Sequence, residues 1–220
     1  MNPAHSIYAP NTAAPDGGSP LVLLNMPLAS IPAAAIFDCD GTLADTMPLH
    51  YQAWRETLDP LGVPFPEELF YLWGGVTARE IIERLNILHA RQMDPAGLSI
   101  EKEETYSRLI PLVRPIESVI AEARRFFGHC PLAVASGGRH EVVEETLCSL
   151  GIRELFDAVV GSEDVRHGKP APDVFLTAAA RIGAAPDGCV VYEDAPAGLE
   201  AARRAGMRAV DITRFLPVDR

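Results

Sequence analysis

Two aspartates, Asp38 and Asp40, stand directly after the apolar run 33–37 and directly before Gly41. Side chains at i and i+2 of a strand share a face, so these two carboxylates are expected to converge at a strand end. Like charges that close require a shared proton or a cation between them. Three further groups add to the chemistry: Ser136-Gly137-Gly138, Gly168-Lys169-Pro170 and Glu193-Asp194. Asp38, Asp40, Glu193 and Asp194 offer only oxygen ligands, which suits Mg²⁺, a cation that takes few carboxylates and keeps several waters. Ser136, the N–H groups of Gly137 and Gly138 and the helix start that follows would cradle a phosphate. Lys169 adds a point charge for the same anion. One aspartate can then attack phosphorus while a second protonates the leaving oxygen. Thr42 could hold the first carboxylates, and Gly41 permits the sharp turn after the strand.

Each group has a plainer reading when taken alone. Asp-x-Asp-Gly could open a calcium loop, but that loop needs Gly at its sixth position and Glu at its twelfth. Here Gly41 and Leu49 stand fourth and twelfth. Ser136 is not a hydrolase elbow, because Val134 occupies the place of the first glycine in G-x-S-x-G. Ser-Gly-Gly could be a tight turn, Lys169 an exposed cap residue, and Glu193-Asp194 an acid pair at a helix start. What favours chemistry is that all four groups fall at the same edge of one expected sheet.

That sheet follows from the pattern around them. The apolar run ending at Phe37 reads as a strand buried on both faces. From residue 47 to 114 the chain reads helical, with Thr77-Ala78-Arg79-Glu80 as a capping box. Amphipathic I-E-K-E-E-T-Y-S-R-L-I follows, and Pro111 and Pro115 close the segment. Strands and helices then alternate, in L-A-V-A-S, D-A-V-V, C-V-V-Y-E-D and M-R-A-V-D-I, with Gly128, Gly151, Gly183 and Gly206 just past the helices. The expected fold is α/β, a parallel sheet with helices on both faces and an inserted all-helical cap. The boundaries are 31–46 and 115–220 for the α/β core, 47–114 for the cap, and 1–30 for an N-terminal extension with Leu21–Leu24 on the surface. The stretches Ala44–Pro48 and Pro111–Pro115 are the natural hinges. In such sheets ligands bind beyond the carboxyl ends of the strands, where the acids, Ser136 and Lys169 lie.

These residues resemble the haloacid dehalogenase superfamily of phosphatases and phosphomutases. F-D-C-D-G-T-L is similar to its D-x-D-x-T motif, Ser136 to its second motif, Lys169 in G-K-P-A-P-D-V-F to its third, and E-D-A-P-A-G-L-E-A-A to its fourth. The resemblance implies that Asp38 is a nucleophile forming an aspartyl-phosphate, and Asp40 the general acid and then base. It also implies that Asp38, the Asp40 carbonyl and Asp194 bind Mg²⁺ with Glu193 close by. D-T-M-P-L-H-Y-Q-A-W is similar to the sugar-phosphate branch, which places cap residues such as His50 and Lys102 near the site. Trp54 reads as core. Mutases of that branch carry G-V-S-R after the first cap helix and Ser-Lys-Asn after the second-motif serine. Here Gly75-Val76-Thr77-Ala78 puts Arg79 one position late, and Gly137 leads to Gly138, Arg139 and His140, with Arg139 a candidate substrate contact. The expectation is a phosphatase acting on sugar phosphates of the fructose-1-phosphate or 6-phosphogluconate type. The alternatives are a beta-phosphoglucomutase-type mutase and a non-catalytic module holding a cation.

The bulk properties agree. A chain of 220 residues with 48% apolar and 22% charged residues buries a sizeable core. A net charge of −11 argues against nucleic acid or an acidic membrane as partner. The four cysteines are far apart with no C-x-x-C, and three sit among apolar neighbours as expected buried thiols, which fits a reducing compartment. No Lys or Arg precedes Arg55, so a secretory n-region is missing. The stretch from Leu21 to Phe37 is interrupted by Asn25, Pro27 and Pro32 and is better used in a strand than in a membrane. A cytoplasmic enzyme with a small-molecule sugar phosphate substrate is expected.

Overall fold

A computed structural model describes residues 20–73 and 76–216. Residues 1–19 of the expected extension, and Gly75 of the stretch compared with the mutases, lie outside the described residues.

The central sheet has five parallel strands: β1 (Ala34–Phe37), β4 (Leu132–Ala135), β5 (Ala158–Val160), β6 (Cys189–Glu193) and β7 (Arg208–Asp211). Their spatial order is β5-β4-β1-β6-β7, so β1 is central, with Ile36 opposite Ala133 on one side and Val191 on the other. The period of two then divides the core between two faces. Ala35 and Phe37 join Val134 and Tyr192 in one apolar cluster, and Ala34 and Ile36 join Ala133 and Val191 in another. Four helices cover these faces: α5 (Glu117–Phe126), α6 (His140–Ser149), α7 (Asp173–Arg181) and α8 (Pro196–Arg204). The helix stops are those expected, with Gly128, Gly151, Gly183 and Gly206 all at positive φ.

Between β1 and β4 the chain makes α1 (Met47–Leu58), α2 (Glu67–Leu72), α3 (Ala78–His89) and α4 (Pro95–Leu109). These helices build their own core from Trp54, Leu58, Phe65, Phe70, Trp73, Ile82 and Leu85. The Thr77 hydroxyl accepts from Glu80 N as a capping box requires, but the Glu80 carboxylate takes Arg84 instead of returning to the cap. Helix α4 starts earlier than its amphipathic stretch suggests, because Asp94 caps it and Pro95 occupies its first turn. Two short strands, β2 (Ala44–Asp45) and β3 (Arg114–Pro115), pair antiparallel and tie the two ends of the helical insert together. They fall in the two stretches expected to act as hinges.

The stretch around Leu21–Leu24, expected merely on the surface, is hydrogen-bonded to the sheet edge. Leu24 N donates to Ala209 O at 2.7 Å and Ala209 N to Val22 O at 3.0 Å. A little further on, Leu28 N donates to the buried Glu122 carboxylate, which also accepts from Tyr192 Oη and Arg125. Of the cysteines, Cys39 and Cys189 are buried, Cys130 is half-buried and Cys148 is exposed, all as free thiols. No helix among the described residues is long and apolar enough to cross a membrane.

Candidate active site

The site lies at the carboxyl ends of β1, β4 and β6. Asp38 N donates to Tyr192 O, which continues the β1–β6 ladder one residue past the strand and fixes where the first carboxylate emerges. Asp38 is buried, and its Oδ1 accepts from Lys169 Nζ at 2.5 Å. The same ammonium donates to Glu193 Oε2 at 2.7 Å. Glu193 Oε1 accepts from the backbone of Asp194 and Ala195 at the start of α8, so both of its oxygens are engaged. Asp194 completes the group, its Oδ1 accepting from Thr42 Oγ1 at 2.9 Å. Thr42 therefore holds Asp194 and not the first carboxylate pair, as the sequence had suggested. Gly41, at φ +83°, is required twice over, because a Cβ there would overlap the Asp194 carboxylate.

Oxygens of Asp38, Glu193 and Asp194 lie within 4.8 Å of one another. Burial and the Glu193 charge push the Asp38 carboxyl well above the usual range, against the pull of Lys169. Burial and Glu193 also push Asp194 up to about 7. Burial opposes the charge on Lys169, but Asp38 and Glu193 outweigh it and hold the ammonium charged. Three acids facing one lysine in a desolvated site leave a deficit of positive charge that a divalent cation fits. With Glu193 committed to Lys169 and α8, Asp38 and Asp194 offer oxygens to such an ion.

The Asp40 carboxylate does not join this group, so the two aspartates do not converge as expected. Strand β1 ends at Phe37, so the period of two no longer governs these residues, and Asp40 instead faces Ser136 Oγ at 3.3 Å and His50 Nε2 at 3.5 Å. Burial would raise its pKa, but the hydrogen bond and charge of His50, the nearby Thr46 hydroxyl and Lys102 outweigh it and hold the carboxyl at about 2. Ser136 Oγ accepts from Gly138 N at 2.9 Å, which closes the turn expected to cradle phosphate. Gly137 stands exposed at its tip.

Of the residues expected from the helical insert, the structure brings His50 and Lys102 to Asp40. Lys102 is buried on α4, and its Nζ lies 2.8 Å from His50 Nδ1. Burial and Lys102 push the His50 pKa down, and burial does the same to Lys102. Arg79 and Arg139 are not brought in: exposed Arg79 pairs with Glu83, and exposed Arg139 with Glu141 and Glu163. Trp54 is core. Sequence reading missed Tyr106, whose ring stacks on His50. Its place one turn after Lys102 was the available signal.

The model of haloacid dehalogenase-like hydrolases matches residues 32–206, and the chain belongs to this family. It is an enzyme of the hydrolase class. It is 41% identical to fructose-1-phosphate phosphatase YqaB of Escherichia coli, over 82% of this chain and 96% of that one. It is 30% identical to beta-phosphoglucomutase of Bacillus subtilis, over 84% and 85% of the two chains. Among solved structures, beta-phosphoglucomutase of Clostridium difficile superposes with a TM-score of 0.69 at 26% identity, covering 81% of this chain and 83% of that one.

Proposed function

We propose that this chain is a Mg²⁺-dependent phosphatase of sugar phosphates, of the fructose-1-phosphate or 6-phosphogluconate type, working through an aspartyl-phosphate on Asp38. The observation that carries the reading is the division of labour between the two aspartates. Asp38 sits against Lys169 and the acid group, while Asp40 sits apart against Ser136 and His50. Asp38 attacks phosphorus, so that its P–O bond forms as the bond to the sugar oxygen breaks. Asp40, which takes up a proton from solvent as the anionic substrate enters beside it, delivers that proton to the leaving oxygen. Asp40 then takes a proton from the water that cleaves the aspartyl-phosphate. Lys169 fixes the Asp38 carboxylate and faces the phosphoryl charge, and Ser136 with the Gly137 backbone binds phosphoryl oxygens, the Gly138 N–H holding the Ser136 hydroxyl in place. Mg²⁺ held by Asp38, the Asp40 carbonyl and Asp194 would offset the crowded negative charge and polarise the phosphoryl group.

Residues 47–114 act as a cap over a core made of 31–46 and 115–220, and the enzyme works in the cytoplasm. A phosphatase is favoured over a phosphomutase because both arginines that could grip a second phosphate, Arg79 and Arg139, are engaged with surface acids. The named fructose-1-phosphate phosphatase relative supports the same choice.

The test is phosphate release with Mg²⁺ from fructose-1-phosphate, glucose-1-phosphate, glucose-6-phosphate and 6-phosphogluconate, with sugar products followed in parallel. Free phosphate is expected, and Asp38→Asn should abolish it while the melting curve stays cooperative. Isomerised sugar phosphate without free phosphate would establish a mutase, and substantial activity in Asp38→Asn would overturn the covalent mechanism.

A further inference from the structure

Tyr106 is fully buried on α4, one turn from Lys102, where the helical insert rests on α6. Its ring lies flat against the His50 imidazole, with centroids 3.7 Å apart and planes 12° from parallel. Beyond the ring, Leu109 and Ile110 from the insert and Val142 from α6 complete the packing. The Tyr106 hydroxyl faces Thr146 of α6 but has no partner at full hydrogen-bond geometry among the described residues. The ring, and not the hydroxyl, is therefore what this position contributes.

A second constraint acts on the same imidazole. Lys102 Nζ, which is paired with Glu103, lies over the Trp54 and Tyr106 rings at 5.7 and 5.3 Å and meets His50 Nδ1 at 2.8 Å. An ammonium has donors only, so Nδ1 accepts and the ring hydrogen sits on Nε2. That nitrogen faces Asp40 Oδ1 at 3.5 Å, an ion-pair distance just beyond ordinary hydrogen-bond length. Lys102 thus sets which nitrogen carries the hydrogen, and the stacked ring sets the plane in which it points. At such a separation a small rotation of the imidazole breaks the contact.

We propose that Tyr106 is a positioning residue for the Asp40–His50 pair, its ring holding the imidazole in the one plane from which Nε2–H meets the Asp40 carboxylate. The inference rests on Asp40 carrying the proton transfers assigned above. It links two parts of the molecule, because the residue that aligns the pair is also the one on which the insert rests against α6.

The experiment is a double-mutant cycle on phosphate release from fructose-1-phosphate with Mg²⁺, using wild type, Tyr106→Leu, His50→Ala and the double variant, with Tyr106→Phe as the conservative control. Tyr106→Leu should lower kcat by about ten- to a hundredfold with little change in KM, as expected for misalignment near reacting groups. Tyr106→Phe should remain within about twofold of wild type, since the hydroxyl points away from His50 towards Thr146 and the ring stays in place, a change of about 0.4 kcal/mol. In the His50→Ala background the Leu substitution should cost almost nothing further, because contacting residues acting as a unit are not additive. Melting curves accompany each variant, and Tyr106→Met replaces Leu in the cycle if the Leu variant does not fold. Full additivity of the two losses, or a loss confined to KM, would overturn the positioning role. A wild type that releases no phosphate would instead overturn the functional reading on which it stands.

Discussion

At the scale of single residues the site is built at the expense of its own stability. Asp38, Glu193 and Asp194 repel one another in a desolvated group that has Lys169 as its counter-charge. Asp194→Asn keeps an oxygen for Thr42 Oγ1 but removes one negative charge. Without divalent metal this variant should melt several degrees above wild type, as functional sites that store strain commonly allow. Mg²⁺ should raise the melting temperature of wild type and leave the variant nearly unmoved, which thermal unfolding with and without EDTA will show. The individual residues of this group were legible in the sequence, since each stands at a predicted strand or helix end. Their pairings were not. Lys169 and Asp38 are 131 positions apart, and nothing local dictates that one ammonium bridges Asp38 and Glu193 while Asp40 turns away to His50.

Among the elements, α8 packs directly against Glu193, and the loop after β5 is tied to the Ser136–Gly138 turn by Ser162 N, which donates to Gly138 O. Gly198 of α8 lies against Glu193 so closely that a Cβ would overlap its carboxylate. Gly198→Ala should push Glu193 away from Lys169, costing about 1–3 kcal/mol in the manner of overpacked cores. It should also lower kcat, and urea unfolding beside steady-state kinetics will read both. The loop after β5 is fastened by Asp164, which accepts from Gly161 N and from Arg181. The Arg181 contact holds the Asp164 carboxyl down at about 2. A carboxyl lowered on folding stabilises the protein fully above its ordinary pKa near 3.8 and loses that contribution as pH falls through about 2. Asp164→Asn should accordingly be less stable than wild type at pH 7, with the gap closing towards pH 2, as urea titrations across that range will show. The types of the five sheet strands and of the helices around them were legible because apolar runs, amphipathic periods and terminal glycines agree. The two-residue strands β2 and β3 carry no such pattern and read only as hinge stretches. The start of α4 escaped because its first turn is polar and apolar in no regular order, and only Asp94-Pro95 marks it.

For the whole molecule, the interrupted architecture was readable as soon as the first strand was followed by a long helical stretch and then by regular alternation. The sheet order was not, because parallel neighbours are chosen by distant packing: β1 pairs with β4 and β6, neither of which follows it directly. The edge pairing of Val22–Leu24 with Ala209 escaped for the same reason, since its partner lies near the other end of the chain. The membrane-length apolar stretch that begins there is thus divided between an edge pairing and the central strand.

The β2–β3 ribbon has a consequence for how the chain finds this fold. To bring Phe37 beside Val134, the unfolded polypeptide must close a loop spanning the whole insert, and long closures slow folding. Once the insert has condensed around Trp54 and Phe65 and the ribbon has drawn its ends together, that search contracts to the short turn after β1 and the α5 crossover between β3 and β4. The insert is then also a built-in splint, a segment whose early ordering delivers the central strand to its neighbours.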